Sequence, residues 1–429
     1  MTPSWSPILE GALAERAATA VTAIAGAIRE RTLPAQRSSL AGGEAGIALF
    51  YAYLDRVRPG AGHDEAAQEW LDRALDTLAS ATQGPGLYDG FTGVAWVAEH
   101  LCGLEEDEDT EEDPNEDIDA ALLKVLRQSP WRYNFDLTSG LVGHAVYALD
   151  RLPRPSAVAS LELVVDHLAE IAQPRPGGLA WHTPLELLPE PNRPWNPHGN
   201  DNLGVAHGTP GVIAALARVC ASGVAAGKAR DLLARSVPWL LAQKLPEDGR
   251  SVFPYMVGRE IPIRPARTAW CYGDPGIALA LLAAGRAAGE PAWEREALAL
   301  GHAIARRPPE SCHVEDAGLC HGAAGLGHVL NRLYQATGDP ELLTAARAWF
   351  ERAFTYWEPG RGIGGFLAYT PPEGDFDRLV WNEDPGFLTG SAGIALTLLA
   401  ATSGVEPAWD RVLLLSPLPE NGARQEPTA

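Results

Sequence analysis

Cys320 and His321 stand side by side in Leu319-Cys320-His321-Gly322-Ala323-Ala324-Gly325-Leu326, directly ahead of a glycine pair and an apolar run. Cys271-Tyr272-Gly273-Asp274-Pro275-Gly276-Ile277, 49 residues earlier, has the same shape. Two thiols and an imidazole in matched contexts suggest a three-ligand metal site. Zinc favours such donors, and a catalytic zinc site keeps three protein ligands and one open position. Cys102 and Cys220 sit in or at the end of apolar helical runs and read as small buried hydrophobes. Cys312, beside His313 and an acidic pair, lacks the repeated context and is open between packing and ligation.

Other polar residues occupy equivalent places. His207 lies in Asn202-Leu203-Gly204-Val205-Ala206-His207-Gly208-Thr209-Pro210-Gly211. It suits an acid/base near a metal-bound nucleophile, or a hydrogen-bonded packing role. Asp136, in Phe135-Asp136-Leu137-Thr138-Ser139-Gly140, suits orienting His207, carrying a second proton, or capping a turn. Arg267, four residues before Cys271, suits stabilising a developing anion or a surface ion pair. His63, His100, His167 and His328 read as surface or packing residues.

A repeat positions these residues. Gly-x-x-Gly followed by an apolar run occurs seven times, at Gly43/Gly46, Gly90/Gly93, Gly140/Gly143, Gly208/Gly211, Gly273/Gly276, Gly322/Gly325 and Gly390/Gly393. The first glycines are 47, 50, 68, 65, 49 and 68 residues apart. Such periods mark repeat architectures. The following runs, Ile47–Leu54, Val94–Leu101, His144–Leu149, Val212–Val219, Ile277–Ala284, Leu326–Leu333 and Ile394–Ala401, are apolar almost all round and predict buried helices. Ahead of each pair runs an amphipathic segment: Pro7–Arg31, Glu65–Thr82, Ile118–Arg127, Ala157–Ala172, Arg230–Gln243, Ala292–Arg306 and Glu341–Trp357. Inner helices of this kind need neighbours on both sides. Closing the array satisfies that, so the prediction is an all-α fold, an α/α toroid of seven helical hairpins. The glycines are expected to serve tight turns and crowding near the axis. Residues just before each first glycine then gather at one mouth, where the candidate donors belong.

The chain has 429 residues, 46% apolar, with a formal charge of −21. One toroid domain is expected over residues 1–415, with an acidic loop at 105–119, a Pro-rich insertion at 174–202, a Gly/Pro-rich insertion at 357–381 and a disordered tail at 416–429. Both insertions suit short strands or a cover over one face. The charge argues against nucleic acid and an anionic membrane surface. Five scattered cysteines do not make a disulfide framework and fit a reducing cytoplasm. No apolar run is long enough to span a membrane. Glu10 and Glu15 ahead of the first apolar stretch fit an amphipathic helix and not a secretory signal.

The segments Asn202–Gly211, Trp270–Ile277 and Gly318–Leu326 resemble the signatures of lanthionine synthetase C-like proteins, the lanthipeptide cyclases. The glycine repeats extend the resemblance from about residue 40 to 401. It implies an α/α toroid, zinc held by Cys271, Cys320 and His321, and catalytic His207 and Asp136, with Arg267 and Tyr272 as further site residues. The implied reaction is Michael-type addition of a peptide cysteine thiol to dehydroalanine or dehydrobutyrine. The implied substrate is a dehydrated precursor peptide. A separate dehydratase and a transporter complex are the expected partners, because the chain resembles a stand-alone cyclase. Some bacterial members carry a large domain inserted in the ring. Here the longest glycine-pair gap leaves room only for a small insertion.

Three other readings remain open. Eukaryotic relatives are similar and act on glutathione. A non-catalytic zinc scaffold would dock a modifying complex. A toroid glycosidase would need paired carboxylates, for which Asp89 and Asp136 are the candidates.

Overall fold

The computed structural model describes residues 5–31, 37–104, 113–246, 250–371 and 378–419. Most of the acidic stretch 105–119 and of the tail 416–429 lies outside them.

Fourteen α-helices alternate in two kinds along the described residues. The amphipathic ones are α1 (Gly11–Arg29), α3 (His63–Ser80), α5 (Glu116–Leu126), α7 (Pro155–Ile171), α9 (Ala226–Leu241), α11 (Pro291–Arg306) and α13 (Pro340–Ala353). The buried ones are α2 (Glu44–Val57), α4 (Phe91–Cys102), α6 (Leu141–Asp150), α8 (Thr209–Ser222), α10 (Asp274–Ala288), α12 (Ala323–Thr337) and α14 (Ser391–Thr402). The seven predicted pairs are all present. In α11 the buried residues are Ala297, Leu300, Gly301 and Ile304, one stripe at i, i+3, i+4 and i+7. In α14 every residue from Ser391 to Ala401 is buried. No helix is long and apolar enough to cross a membrane among the described residues.

Each first glycine is the N-cap of a buried helix, so the second lies inside the first turn. The backbone is extended at these caps except at Gly273, whose φ is +110°. Close approach, more than turn geometry, explains the glycines. A Cβ on Gly46, Gly93, Gly211, Gly276, Gly325 or Gly393 would fall 1.8–2.3 Å from the carbonyl oxygen six residues earlier. The loop folds back over the start of each helix, and only hydrogen fits between them.

The chain divides into two compact units. One comprises Met1–Asp113 and Val314–Trp409. Within it α12, α14, α2 and α4 pack in succession, with α1, α3 and α13 against them. Its mouth loops are joined by backbone bonds. Cys320 N–H donates to Leu388 O at 2.8 Å, Leu388 N–H to Ala41 O at 2.8 Å, and Ala41 N–H to Tyr88 O at 3.1 Å. The insertion at 357–381 forms the hairpin of β6 (Ala368–Thr370) and β7 (Val380–Asn382), numbered after the five strands below.

The other unit comprises Pro114–His313 and Asp410–Ala429. Here α6, α8 and α10 pack in succession, covered by α7, α9 and α11. Its mouth loops are tied in the same way: Leu137 N–H donates to Ala206 O at 3.1 Å and Ala206 N–H to Cys271 O at 3.4 Å. The 174–202 insertion supplies a hairpin of β1 (Gln173–Arg175) and β2 (Gly178–Ala180). It also supplies β3 (His182–Thr183) and β4 (Asn200–Asn202), which β5 (Met256–Val257) joins in an antiparallel sheet of order β3-β4-β5. Buried Asp274 holds the chain ahead of β5, accepting from Ser251 Oγ and the Val252 and Phe253 N–H groups, and pairs with buried Arg307.

Candidate active site at a helix mouth

The mouth of the second unit collects Asp136, His207, Arg267, Cys271 and Tyr272. His207 and Tyr272 hold the same repeat position, one residue before the caps of α8 and α10. Their rings are 5.8 Å apart. His207 Nδ1 and Asp136 Oδ2 share a hydrogen bond of 2.8 Å. Asp136 also accepts from Thr138 Oγ1 at 3.0 Å and from the Ser139 N–H at 3.0 Å. The turn that caps α6 therefore fixes the carboxylate, and the carboxylate fixes the imidazole. Asp136 both closes the turn and orients His207, joining two roles read as alternatives in the sequence.

The electrostatics follow from this pairing. Burial pushes the Asp136 carboxyl up, but the His207 hydrogen bond and charge, with the Ser139 N–H and Thr138 hydroxyl, outweigh it. The net position is below the usual carboxylate range. Burial pulls His207 down, but the Asp136 hydrogen bond and charge, helped by Cys271, lift it above the usual imidazole value. Tyr272 is pushed up to about 12, first by burial and then by the Cys271 and Asp136 charges. Asn202 and the Arg267 guanidinium oppose that rise, so Arg267 acts on this mouth.

Asn202 takes part as well, although its residue type alone does not mark it. Asn202 accepts the Gly204 N–H on Oδ1 at 2.8 Å and donates Nδ2–H to the Tyr272 hydroxyl at 3.1 Å. The same side-chain-to-backbone turn recurs six residues before the α12 and α14 caps, at Asp316–Gly318 and Asp384–Gly386. An Asn or Asp at that offset was thus a readable signal. Strand alternation puts Asn200 and Asn202 on one face of β4 and Asp201 on the other. Asp201 binds Arg175 and His182 there, which anchors the small sheet.

A cavity of about 520 Å³ opens beside the dyad. Asp136 with its neighbours Asn134, Phe135, Thr138 and Ser139, together with His207, Tyr272 and Asn202, forms one side, and residues of the 183–200 segment and of 255–264 form the rest. The Pro-rich insertion therefore makes strands and also walls this cavity. Asp136 is the one carboxylate on the lining, and Asp89 is an exposed residue of the other unit. The cavity thus lacks the carboxylate pair a glycosidase needs.

Cys271 is buried directly before Tyr272. In the first unit Cys320 is buried directly before His321, whose Nδ1 is buried without a hydrogen-bond partner among the described residues. Neither cysteine is in a disulfide. Cys220 is buried in α8, as expected. Cys102 is not: α4 ends at this residue, and the chain leaves it exposed. Cys312 is fully buried with its Sγ at 3.6 Å from Pro308 O, a packing role. His100, His167 and His328 are buried packing residues, bonded to Tyr53, bonded to Leu126 O, and stacked on Trp409 respectively.

Comparison with known proteins agrees with this architecture. The chain is 24% identical over 310 residues to nisin biosynthesis protein NisC of Lactococcus lactis subsp. lactis, covering 67% of this chain and 72% of that protein. It is 30% identical over 160 residues to glutathione S-transferase LANCL1 of Danio rerio, a match spanning 37% of this chain and only 36% of that protein. Nisin cyclase has the same fold, with a TM-score of 0.75 at 20% identity over 94% of this chain and 98% of that one. The α/α-toroid expectation is thereby borne out. The family model for lanthionine synthetase C-like protein matches residues 34–414, and the chain belongs to that family.

Proposed function

We propose that residues 1–415 form a zinc-dependent lanthipeptide cyclase. Its reaction joins cysteine thiols of a dehydrated precursor peptide to dehydroalanine or dehydrobutyrine, giving (methyl)lanthionine thioethers. The observation that carries this reading is the Asp136–His207 pair beside Tyr272 on a large cavity, in a chain of this family. A separate dehydratase would supply the substrate, and a transporter complex would take the product.

Two thiols outside any disulfide and one imidazole, Cys271, Cys320 and His321, make a donor set that fits zinc. The unpartnered Nδ1 of His321 fits it too, since a buried ring nitrogen normally finds a partner. When bound, zinc supplies acidification of a thiol whose ordinary pKa is about 8.5.

The remaining work falls to the chain. In the addition, sulfur bonds to the β-carbon, the alkene electrons move onto the neighbouring carbonyl as an enolate, and the α-carbon then takes a proton. Asp136 occupies His207 Nδ1, which leaves Nε2 to take the thiol proton or to return one to the α-carbon. Tyr272 stays a phenol at neutral pH and donates a hydrogen bond. Arg267 favours negative charge on the enolate oxygen. Arg264 is the one Arg or Lys on the cavity lining.

Cyclisation leaves mass unchanged and consumes a thiol. The test is incubation of a dehydrated cysteine-bearing peptide with the zinc-loaded protein, then N-ethylmaleimide labelling and mass spectrometry. Loss of the alkylatable thiol is expected. A thiol that stays alkylatable, or a peptide that gains mass only with added glutathione, overturns the reading.

A further inference from the structure

We propose that Asp316 is a positioning residue for zinc: its buried carboxylate ties the turn that carries Cys320 and His321 to the hairpin of β6 and β7. The inference deepens the cyclase reading and rests on it for the metal.

Asp316 closes the turn from inside. Its Oδ1 accepts the Gly318 N–H at 3.0 Å, and its backbone oxygen accepts the Ala323 N–H at 2.9 Å. Gly318 O accepts the Gly322 N–H at 3.0 Å. Residues 316–323 are thus folded around Cys320 and His321. The carboxylate also lies against the cap of α12, where a Cβ on Gly322 would fall 2.4 Å from Asp316 Oδ1. Asp316 is 2% exposed, and a carboxylate so buried depends on protein donors.

The second oxygen reaches out of the turn. Asp316 Oδ2 accepts the Tyr369 N–H at 3.0 Å. Tyr369 stands opposite Trp381 in the β6–β7 pair. Hydrogen-bonded and non-hydrogen-bonded pairs alternate along such a ladder. An N–H given to Asp316 therefore faces away from β7. Tyr356, ahead of the hairpin, adds a second tie through its hydroxyl, which donates to Val314 O at 2.9 Å.

The related turns before α8 and α14 use their second atom differently. Asn202 donates to the Tyr272 hydroxyl, and Asp384 Oδ2 accepts from Thr389 Oγ1. Tyr272 and Thr389 each stand one residue before a helix cap. His321 holds that position before α12, yet its Nδ1 has no such partner among the described residues. Directing the Asp316 carboxylate to Tyr369 holds the turn and leaves the imidazole to the metal. Donors already held in place lose less freedom when the metal binds, so the tie should appear as zinc affinity.

The test measures zinc affinity of the full chain by competition with a chromophoric chelator. Asp316→Asn keeps an acceptor for Gly318 but sets a donor against the Tyr369 N–H. Tyr369→Pro deletes that N–H and leaves the β6–β7 ladder bonds in place. Each is expected to weaken zinc about tenfold, the lower end of what outer partners of a metal site contribute. The double variant is expected to be no weaker than the weaker single one. Trp381→Ala, on the exposed strand opposite, is expected to keep wild-type affinity. Cobalt(II) in place of zinc reports donor geometry, so its visible bands are expected to shift in both tie variants; a merely structural role would lower the melting temperature and leave the bands alone. Unchanged zinc affinity in Tyr369→Pro, additive losses in the double variant, or unshifted cobalt bands overturns the inference. Wild-type protein that binds no zinc overturns it together with the metal part of the cyclase reading. Thioether formation assayed on the same wild-type protein separates the two: its absence despite weakened zinc in the variants rejects the cyclase and keeps the tie, and its presence with unchanged zinc affinity does the reverse.

Discussion

Asn202 donates to the Tyr272 hydroxyl at 3.1 Å while its own Oδ1 is held by the Gly204 N–H. The direction of that bond matters. The phenol oxygen accepts from Asn202, so the phenol proton is left for the substrate. Asn202→Asp keeps the turn but replaces the donor by an acceptor, which turns the tyrosine proton toward residue 202. We expect kcat for cyclisation to fall about a hundred- to a thousandfold, the scale of losing one oriented donor, with KM and zinc content unchanged. Steady-state kinetics and metal analysis check this.

The Asp136–His207 pair sets the pH response. The folded value of His207 lies above 6.5, so its stabilising contribution is complete below 6.5 and is lost as pH rises through the folded value. The folded value of Asp136 lies below 3.8, so its contribution is present above 3.8 and is lost as pH falls through the folded value. Asp136→Asn should move the His207 titration to lower pH and flatten both flanks of the Tm–pH curve. Imidazole proton NMR and thermal melts across pH report the two effects. An unmoved His207 titration would contradict the pairing.

Metal content should follow the donor set. Wild-type protein is expected to carry about one zinc per chain, and Cys271→Ala, Cys320→Ala and His321→Ala each to lose most of it. Cys312→Ala and Cys220→Ala, at packing positions, should keep it. Elemental analysis after dialysis distinguishes these outcomes, and retention in Cys320→Ala would sink the ligand assignment.

The second glycines are steric necessities. In Gly325→Ala the new Cβ would lie 1.8 Å from Leu319 O, and in Gly211→Ala 2.2 Å from Val205 O. Each should destabilise the protein by about 1–3 kcal/mol, the usual cost of overpacking. Gly26, exposed within α1 with nothing near its virtual Cβ, is the control. Gly26→Ala should stabilise by about 0.5–1 kcal/mol. Urea denaturation measures all three.

The repeat was legible because each hairpin writes its own periodicity. Apolar runs mark the buried helices, amphipathic stripes the covering ones, and glycine pairs the joints. That equivalence also located His207, Tyr272 and His321 at one type of position before their caps, and no tertiary contact was needed to see it. Cys102 shows the limit: an apolar run predicted burial, yet the helix ends at that residue and leaves it exposed.

What the tertiary structure decided was partnership. Nothing in the spacing of residues 136 and 207 joins them; the loops before α6 and α8 do, through the Leu137–Ala206 backbone bond. The direction of the Asn202–Tyr272 bond, the Asp316–Tyr369 tie and the wall built by 183–200 likewise depend on which segments meet. Periodicity is local and survives in a one-dimensional string. Hydrogen-bond polarity and cavity shape arise only when segments far apart in the chain compete for the same space.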